Sequence, residues 1–315
     1  MPRMVICPYA YYDEKPLVHL WNLTMTHDPI NESVLQTRVL LDANFSSDGL
    51  LVAREAGELR GFVLSIMRQV PLLQGPEPDV GWITAFGVHP EYRRRGIGRQ
   101  LFEATLARLA SLGCKCVLIS PYTPNYFIPG VDVDAYPEAM AFLGASGWEI
   151  TSTPISMRAD LTSFQIPQEI KELGWYLARE QGIIVDPVYS GRLPELKTFI
   201  AKNFGWEWFR FAQEYLLELF GPGSDQTCFL IATQGGERIV GYCQARRERF
   251  GPFGVAEDMR NRGIGRVLLF NCLLAMRTQG FHCAWFLWTG KEAARLYSLA
   301  GFKQVRQFAV MKKEL

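Results

Sequence analysis

The sequence lacks an excess of charge of either sign. Its 315 residues carry 33 lysines and arginines against 32 aspartates and glutamates, which gives a formal net charge of +1. No global charge therefore draws the chain to nucleic acid or to an anionic membrane, and a local basic patch has to do any phosphate binding. We expect neither nucleic acid nor a membrane among its partners.

Long apolar runs and paired cysteines are also missing. No stretch reaches the ~18 apolar residues of a membrane-spanning helix, and the first residues do not read as a signal peptide. The seven cysteines include no CxxC pair, the tight spacing that zinc sites and disulfide frameworks usually show. We interpret them as small core residues in a reducing compartment and expect no metal site. These absences predict a cytoplasmic protein.

A repeated segment organises the chain. Phe86–Arg99 reads FGVHPEYRRRGIGR, and Phe253–Arg266 reads FGVAEDMRNRGIGR. The two copies align without gaps at an offset of 263 − 96 = 167 residues, and they share FGV, one arginine and RGIGR. A match of this kind indicates an internal duplication, which agrees with roughly 100–200 residues per domain in a chain of this length.

The segments that flank the two copies match as well. Each copy is followed by apolar residues at helical spacing and then by a short apolar run typical of a buried strand. The last strand of each half is predicted over Ile155–Leu161 and Gln307–Lys312. We predict an α/β chain of two tandem domains, 1–162 and 183–315, with a linker over 163–182. Each domain is predicted to hold a mixed, mostly antiparallel sheet flanked by helices.

The repeated segment has the pattern of a phosphate-binding loop. A strand followed by RxxGxG and a helix presents free backbone N–H groups at the positive end of the helix dipole, and its glycines allow a ligand to approach. The pattern is neither GxxxxGK[ST] nor a GxGxxG followed by an acidic ribose partner. The candidate loop residues are Arg93, Arg94, Arg95, Gly96, Gly98 and Arg99 in the first copy, and Arg260, Asn261, Arg262, Gly263, Gly265 and Arg266 in the second.

Two spaced patterns together resemble the GNAT superfamily of acyl-CoA-dependent N-acyltransferases. The first is V-x-P-x-x-R-x-R-G-I-G after a strand, and the second is A-x-x-x-Y-x-x-x-G-F near the end of the chain. The resemblance covers both halves. It implies that each loop holds the pyrophosphate of CoA and that the preceding strand pairs with the pantetheine arm where two parallel strands separate. In this chain those strand residues are Phe86, Val88, Phe253 and Val255.

The resemblance also implies a reaction, but the two halves of the chain differ at the residue that acts as its general acid. The family's tyrosine protonates the departing CoA thiolate, and Tyr297 occupies this position in the second half, whereas the first half has Leu143. Leucine cannot donate a proton. We therefore expect the second domain to transfer an acetyl group from acetyl-CoA to a primary amine of a small molecule or peptide, without a metal. The alternative is an acyl-CoA-binding regulatory protein in which one or both domains are inactive.

The first half contains an insertion, and the sequence leaves the general base open. Gly98 to Leu143 is 143 − 98 = 45 residues, against 297 − 265 = 32 in the second half, and the additional residues fall within Pro121–Asp134. A long ordered loop of this kind is either functional or a surface loop with buried aromatics. The insertion carries Tyr122, Tyr126, Asp132 and Asp134, and Tyr136 lies just beyond it. The candidate general bases are Glu248 in the second half and its first-half counterparts Glu77 and Asp79. The acceptor amine is not identified, and the chain is expected to be a monomer or a homodimer.

Overall fold

The computed structural model describes residues 4–70, 77, 79–119, 122–123, 125, 127–221 and 226–315. Tyr126, from the predicted insertion, lies outside these residues. No helix within the described ranges is long and apolar enough to cross a membrane. The same residues contain no cluster of three or more histidine, cysteine, aspartate or glutamate side chains placed to hold a metal ion.

Helices and strands follow one another in a similar order in the two halves of the chain. The first half forms β1 (Val5–Pro8), α1 (Glu14–Thr24), α2 (Glu32–Leu35), β2 (Leu50–Glu55), β3 (Glu58–Met67), β4 (Val80–Val88), α3 (Ile97–Ser111), β5 (Cys116–Ile119), β6 (Val131–Asp132), α4 (Pro137–Ala145), β7 (Glu149–Ser152) and β8 (Ile155–Asp160). The second half forms α5 (Gln168–Gln181), β9 (Ile183–Pro187), α6 (Leu193–Leu219), β10 (Thr227–Gln234), β11 (Arg238–Arg246), β12 (Arg249–Val255), α7 (Ile264–Thr278), β13 (Cys283–Thr289), α8 (Lys291–Leu299) and β14 (Lys303–Glu314). The predicted fold class, α/β with largely antiparallel sheets flanked by helices, is confirmed.

The first compact unit runs to Pro154 and also includes Gln307–Leu315. Its strands lie in the order β1-β2-β3-β4-β5-β14, and the only parallel pair along this path is β4 with β5. Because successive strand residues point to opposite faces, the unit has a core on each side of the sheet. One core holds residues of α1 and α2, and the other holds residues of α3 and α4.

The second compact unit comprises Ile155–Arg306. Its strand order is β8-β13-β12-β11-β10-β9, and along this path only β12 and β13 run parallel. Residues of α5, α6 and α7 pack with the sheet in one continuous core. Each unit therefore has one parallel strand pair, and in each the repeated segment leads out of the first strand of that pair.

The last strand of each half belongs to the other compact unit, contrary to the sequence-based assignment. We call this arrangement the strand exchange. We expected Ile155–Leu161 to complete the first domain, but β8 pairs with β13 of the second unit, with Asp160 opposite Cys283. Conversely, the end of β14 pairs with β5 of the first unit, with Met311 opposite Ile119. The compact units thus divide at residues other than those in the predicted boundaries. The apolar alternation of a strand specifies a buried face but not the partner strand, so periodicity alone cannot distinguish the two arrangements.

The exchange predicts which unit each strand stabilises. Met311 in β14 and Met157 in β8 are 2% and 3% exposed and lie in the cores of the first and second units respectively. Each Met→Ala change should cost about 2–5 kcal/mol of unfolding free energy because it removes buried methylenes and leaves a cavity. In hydrogen exchange, Met311→Ala should lower amide protection in α3 and β5, and Met157→Ala should lower it in α7 and β13. The opposite pattern would contradict the exchange.

Candidate functional site

The glycine loop of the first unit leaves the start of α3 accessible. Gly96 precedes the helix with φ +80°, and a Cβ built there would have only Gln100 Nε2 within 4 Å, at 3.8 Å. No side chain caps the helix start at this position. The first N–H groups of an α-helix have no partner within the helix, so those at Ile97 and Gly98 are available to an anion.

Some arginines of this loop hold the turn in place by hydrogen bonds, and some line an open cavity. Arg93 donates to the Val88 carbonyl at 3.2 Å and pairs with Glu138 at 2.6 Å, which fixes it between β4 and α4. Arg95 donates to the Glu91 carbonyl at 2.9 Å and so stabilises the turn itself. Arg93, Arg94 and Arg99 all line the cavity described next, where their charge favours an anionic ligand.

A cavity of about 1000 Å³ extends from this loop along β4. Its walls come from β3 and β4, the first turns of α3 and α4, the end of α1 with the segment after it, the end of β5, and the residues around the start of β6. Its size is that of a small-molecule site. The polar residues among those that line it are Thr24, Thr26, Thr84, Tyr92, Arg93, Arg94, Arg99, Tyr136 and Glu138.

The inner end of the cavity lies where β4 and β5 separate. Parallel pairing covers only Val80–Trp82 of β4 and Cys116–Leu118 of β5. Beyond these pairs, Ile83 and Ile119 line the cavity. The backbone of β4 past Trp82 therefore presents hydrogen-bonding groups toward a space where a strand partner would lie, and an extended ligand can add to such an edge.

A register shift accompanies the separation of the strands. On its other side β4 pairs with β3, with Ala85 opposite Leu64 and Ile83 opposite Ser65, so Thr84 is an additional residue in β4. Thr84 is among the residues that line the cavity, but its hydroxyl oxygen is buried, without a hydrogen-bond partner among the described residues. A bulge of this kind redirects one side chain out of the regular alternation.

In the second unit the same loop is covered. Gly263 has φ +88° and α7 begins at Ile264, which reproduces the first unit's turn. A Cβ on Gly263, however, would meet the Leu173 side chain of α5 at 2.8 Å. Leu173 thus occupies space beside this loop, whereas none of the residues that the structure describes fills the same space beside Gly96. The arginines repeat the first unit's contacts, since Arg260 donates to the Val255 carbonyl at 3.3 Å and Arg262 to the Asp258 carbonyl at 3.4 Å.

Aromatic side chains fill the strand separation in the second unit. Tyr297 lies among four phenylalanines, with ring-centroid distances of 4.4 Å to Phe286, 5.6 Å to Phe253 and to Phe302, and 6.0 Å to Phe250. Burial raises the pKa of the Tyr297 hydroxyl. The second unit therefore has the tyrosine hydroxyl that the first unit lacks at this position, but aromatic side chains pack around that tyrosine.

Comparing residues at the offset of 167 shows which side chains make the two strand separations differ. Phe250 and Phe286 correspond to Ile83 and Ile119 of the first unit, because 250 − 167 = 83 and 286 − 167 = 119. Strand pairing gives the same correspondence, with Arg249 opposite Trp285 where the first unit has Trp82 opposite Leu118. Leu143, the counterpart of Tyr297, is fully buried in a core of the first unit.

The three carboxylates that the sequence offered as general bases make contacts with other side chains of their own unit. Glu77 pairs with Arg68 at 3.1 Å, and Asp79 pairs with Lys115 at 2.8 Å. Burial and a hydrogen bond to Glu248 raise the pKa of the Cys283 thiol, so the half-buried Glu248 contacts the start of β13. None of these three carboxylates lines the cavity of the first unit.

The polar residues in and just after the insertion are held by specific partners. The Tyr122 hydroxyl is buried against Asp42 and Asn44, at 3.1 and 2.5 Å, and burial raises its pKa. Tyr136, just after the insertion, lines the cavity and donates to Asp28 at 2.6 Å. Asp132 accepts from the backbone N–H groups of Asp134 and Ala135, each at 3.0 Å, which fixes the turn before α4.

Two family models match the chain, one in each half. The Acetyltransferase (GNAT) family model matches residues 17–126, and the Acetyltransferase (GNAT) domain model matches residues 225–304. The chain belongs to the GNAT family. It carries two GNAT domains in tandem, and members of this family use acetyl-CoA.

Solved structures with the same architecture extend over the whole chain. A glucosamine N-acetyltransferase region in a fungal multi-domain GH3 β-N-acetylglucosaminidase has a TM-score of 0.81 and 20% identity, covering 99% of this chain and 38% of that one. A GCN5-related N-acetyltransferase from Sphaerobacter thermophilus has a TM-score of 0.70 and 16% identity, with 99% and 95% covered. A tandem GNAT protein from the clavulanic acid biosynthesis pathway has a TM-score of 0.64 and 14% identity, with 99% and 98% covered.

These likenesses establish the fold of this tandem GNAT protein and leave its acceptor undetermined. The chain spans 38% of the length of the fungal chain, so it corresponds to one region of that larger protein. No curated protein matches the sequence.

The geometry of the first unit fits acetyl-CoA better than that of the second. A ligand with a diphosphate and an extended arm needs an accessible loop and an unpaired strand edge, and the Gly96 loop and β4 provide both. In the second unit Leu173 and the Tyr297 cluster occupy the corresponding positions. Sequence reasoning missed this difference, although the Ile-to-Phe exchanges at the 167-residue offset are a signal that could have revealed it.

Placing the phenylalanine of the second unit at the corresponding position of the first unit should close the cavity. Ile119→Phe copies Phe286 and places a phenyl ring where β4 and β5 separate, so the affinity for acetyl-CoA should fall about tenfold or more, which is at least ~1.4 kcal/mol. Isothermal titration calorimetry measures the affinity, and thermal unfolding verifies that the variant is folded. The matched variant Phe286→Ile should leave the affinity unchanged. An unaltered affinity in folded Ile119→Phe would contradict the assignment of this cavity.

Proposed function

We propose that this chain transfers an acetyl group from acetyl-CoA to an amine and that the first unit performs the reaction. The observation that carries the proposal is the cavity of about 1000 Å³, which joins the Gly96 loop to the point where β4 and β5 separate. This assignment differs from the sequence-based prediction, which placed catalysis in the second unit because of Tyr297.

In this proposal the loop binds the diphosphate of CoA. The N–H groups at the start of α3 donate to it, and the helix dipole favours its negative charge. Arg99 adds an exposed guanidinium on the first turn of the same helix, paired with Glu103 at 2.7 Å. Arg93, held by Val88 and Glu138, also lines the cavity beside the loop.

The pantetheine arm then lies along β4. Its amides pair with backbone groups past Trp82, as a strand partner would. Ile83 and Ile119 form apolar walls around the thioester end, and their smaller volume relative to phenylalanine leaves room for it. Such walls exclude water, which favours transfer to an amine over hydrolysis.

The acceptor approaches from the side of α1 and Tyr136. Tyr136 is oriented by Asp28 at 2.6 Å and by the backbone N–H of His27 at 3.3 Å, so it presents a fixed polar group to the cavity. The amine nitrogen attacks the thioester carbon, and the C–S bond breaks to release the CoA thiolate. A free thiol has a pKa of about 8.5, so the thiolate is an adequate leaving group near neutral pH.

An amino sugar is the first acceptor to test. The structure with the TM-score of 0.81 is described as a glucosamine N-acetyltransferase region. The cavity offers hydroxyl partners suited to a polyhydroxylated amine, including Thr24, Thr26 and Tyr136. Glucosamine should be compared with a polyamine, an aminoglycoside and an amino-acid amide, with free-thiol release as the measurement.

Binding of acyl-CoA without turnover is a second candidate. It is favoured by Leu143, which puts a core leucine where the family has its acid. In that case acetyl-CoA would bind to the first unit, but no amine in the panel would release thiol above the rate of hydrolysis.

A matched pair of charge reversals tests which unit binds the ligand. Arg99 and Arg266 are equivalent exposed residues at the offset of 167. Arg99→Glu should weaken acetyl-CoA binding by about tenfold or more, because a charge-assisted hydrogen bond contributes roughly 1.5–3 kcal/mol. Arg266→Glu should have a much smaller effect. Calorimetry at low ionic strength measures both, and the reverse ranking would assign binding to the second unit.

Tyr297→Phe tests which unit catalyses the reaction. If Tyr297 were the general acid, its loss would lower kcat by typically 10²–10⁴-fold. With the reaction in the first unit, kcat of Tyr297→Phe should equal that of the unmodified protein. A strong loss of kcat with unchanged acetyl-CoA affinity would return the reaction to the second unit.

A further inference from the structure

Three arginines line the cavity beside the glycine loop, and two of them already have a carboxylate partner. Arg93 pairs with Glu138 at 2.6 Å, and Arg99 pairs with Glu103 at 2.7 Å. Arg94 is exposed, and no hydrogen bond or ion pair to a described residue holds its guanidinium. A cation that the protein does not compensate attracts an anion more strongly than one already paired with a carboxylate. Arg94 therefore has the least compensated positive charge of the three.

The backbone at Arg94 is unusual for an arginine. Its φ of 62° lies in the left-handed region, and so does the φ of 63° at Asn261, its counterpart at the offset of 167 residues. Asparagine tolerates this region better than most side chains, and arginine has no such advantage. The unit whose loop is covered by Leu173 therefore has the better-suited residue, and the unit with the cavity has the charged one. A residue kept in an unfavourable backbone conformation beside a cavity indicates a functional role there.

Acetyl-CoA, the ligand of the proposed function, carries phosphate at two places. Its diphosphate lies at the start of α3 in that proposal, where the N–H groups of the helix donate to it. The 3′-phosphate on its ribose is a separate monoester with a charge of about −1.5 to −2 near neutral pH. Arginine binds such a group with two parallel N–H donors, which gives both strength and a defined geometry. The 3′-phosphate is thus the part of the ligand that matches an uncompensated guanidinium.

We propose that Arg94 binds the 3′-phosphate of acetyl-CoA and makes the first unit selective for CoA over its 3′-dephospho form. The inference rests on the proposed function, which places acetyl-CoA in the first unit. The cavity runs from the Gly96 loop inward along β4, and the pantetheine arm follows it. The adenosine end of the ligand therefore lies on the outer side of the loop, where Arg94 is exposed two residues before Gly96. Arg94 acts on binding, and the acetyl group is remote from it.

Two ligands that differ by one phosphate group test the proposal. In calorimetry, the unmodified protein should bind acetyl-CoA about tenfold or more tightly than acetyl-3′-dephospho-CoA, the usual scale for a charge-assisted hydrogen bond. Arg94→Asn, which copies the residue of the second unit, should remove most of this preference. The variant should weaken the binding of acetyl-CoA and change the affinity for the dephospho ligand little. Because salt screens exposed charges, the preference of the unmodified protein should also fall as ionic strength rises.

The matched control places the same side chain in the covered loop. Asn261→Arg gives the second unit the residue of the first, and the preference between the two ligands should stay that of the unmodified protein. Thermal unfolding verifies the fold of each variant. Arg94→Asn should melt at or above the temperature of the unmodified protein, because asparagine adopts the left-handed conformation more readily. If Arg94→Asn does not fold, Arg94→Gly gives the same comparison, since glycine adopts this conformation without strain.

Failure of this inference can be distinguished from failure of the proposed function. If Arg99→Glu weakens acetyl-CoA binding but the unmodified protein binds both ligands equally well, only the Arg94 inference is wrong. The inference is equally wrong if Arg94→Asn weakens the binding of both ligands by the same factor, which would assign the side chain to the diphosphate. A preference that persists in Arg94→Asn would assign the 3′-phosphate to another residue. If neither ligand binds, the proposed function fails and the inference fails with it.

Discussion

The separation of two parallel strands is the constraint on which the site depends. Backbone N–H and C=O groups that are buried have to be paired, and β4 loses its partner after Trp82. Where a sheet opens in this way, the freed backbone groups have to pair with water, a ligand or other parts of the chain. The same opening creates the cavity and directs β4 toward the glycine loop, where the start of α3 leaves further N–H groups without partners.

The two units meet this constraint in different ways. In the first unit the space lined by Ile83 and Ile119 remains open, and a ligand with an extended amide-bearing arm can fill it. In the second unit Phe250, Phe286 and Tyr297 fill the space with the chain's own side chains. Aromatic pairs of this kind contribute about 0.5–1.5 kcal/mol each beyond their buried area, so they stabilise the second unit at this point. The first unit instead keeps an open cavity beside its glycine loop.

The strand exchange makes each unit depend on both halves of the sequence. The first unit includes Gln307–Leu315, and the second begins at Ile155. Neither 1–162 nor 183–315 therefore contains a complete sheet, and a polypeptide cut at the predicted linker would leave each sheet without its exchanged strand. Membership of the tandem GNAT family is compatible with either arrangement, because the family pattern lies in the loop and helix that precede these strands.

Sequence alone determined the features that arise from local backbone demands. The RGIG repeats predicted two helix starts, and both occur, after Gly96 and Gly263, each of which has a positive φ. The duplication, the α/β class and the difference between Leu143 and Tyr297 were equally accessible, because each depends on neighbouring residues or on a fixed offset.

Only the tertiary structure showed the cavity of the first unit and which strands complete each sheet. Leu173 covers Gly263 from 263 − 173 = 90 residues away, and Phe286 meets Tyr297 from a different element. The space in a site is set by side chains that distant segments bring together, and strand pairing is set by the packing of whole sheets. Neither leaves a periodic signal in the local sequence, since alternation defines which face is buried but not what lies against it.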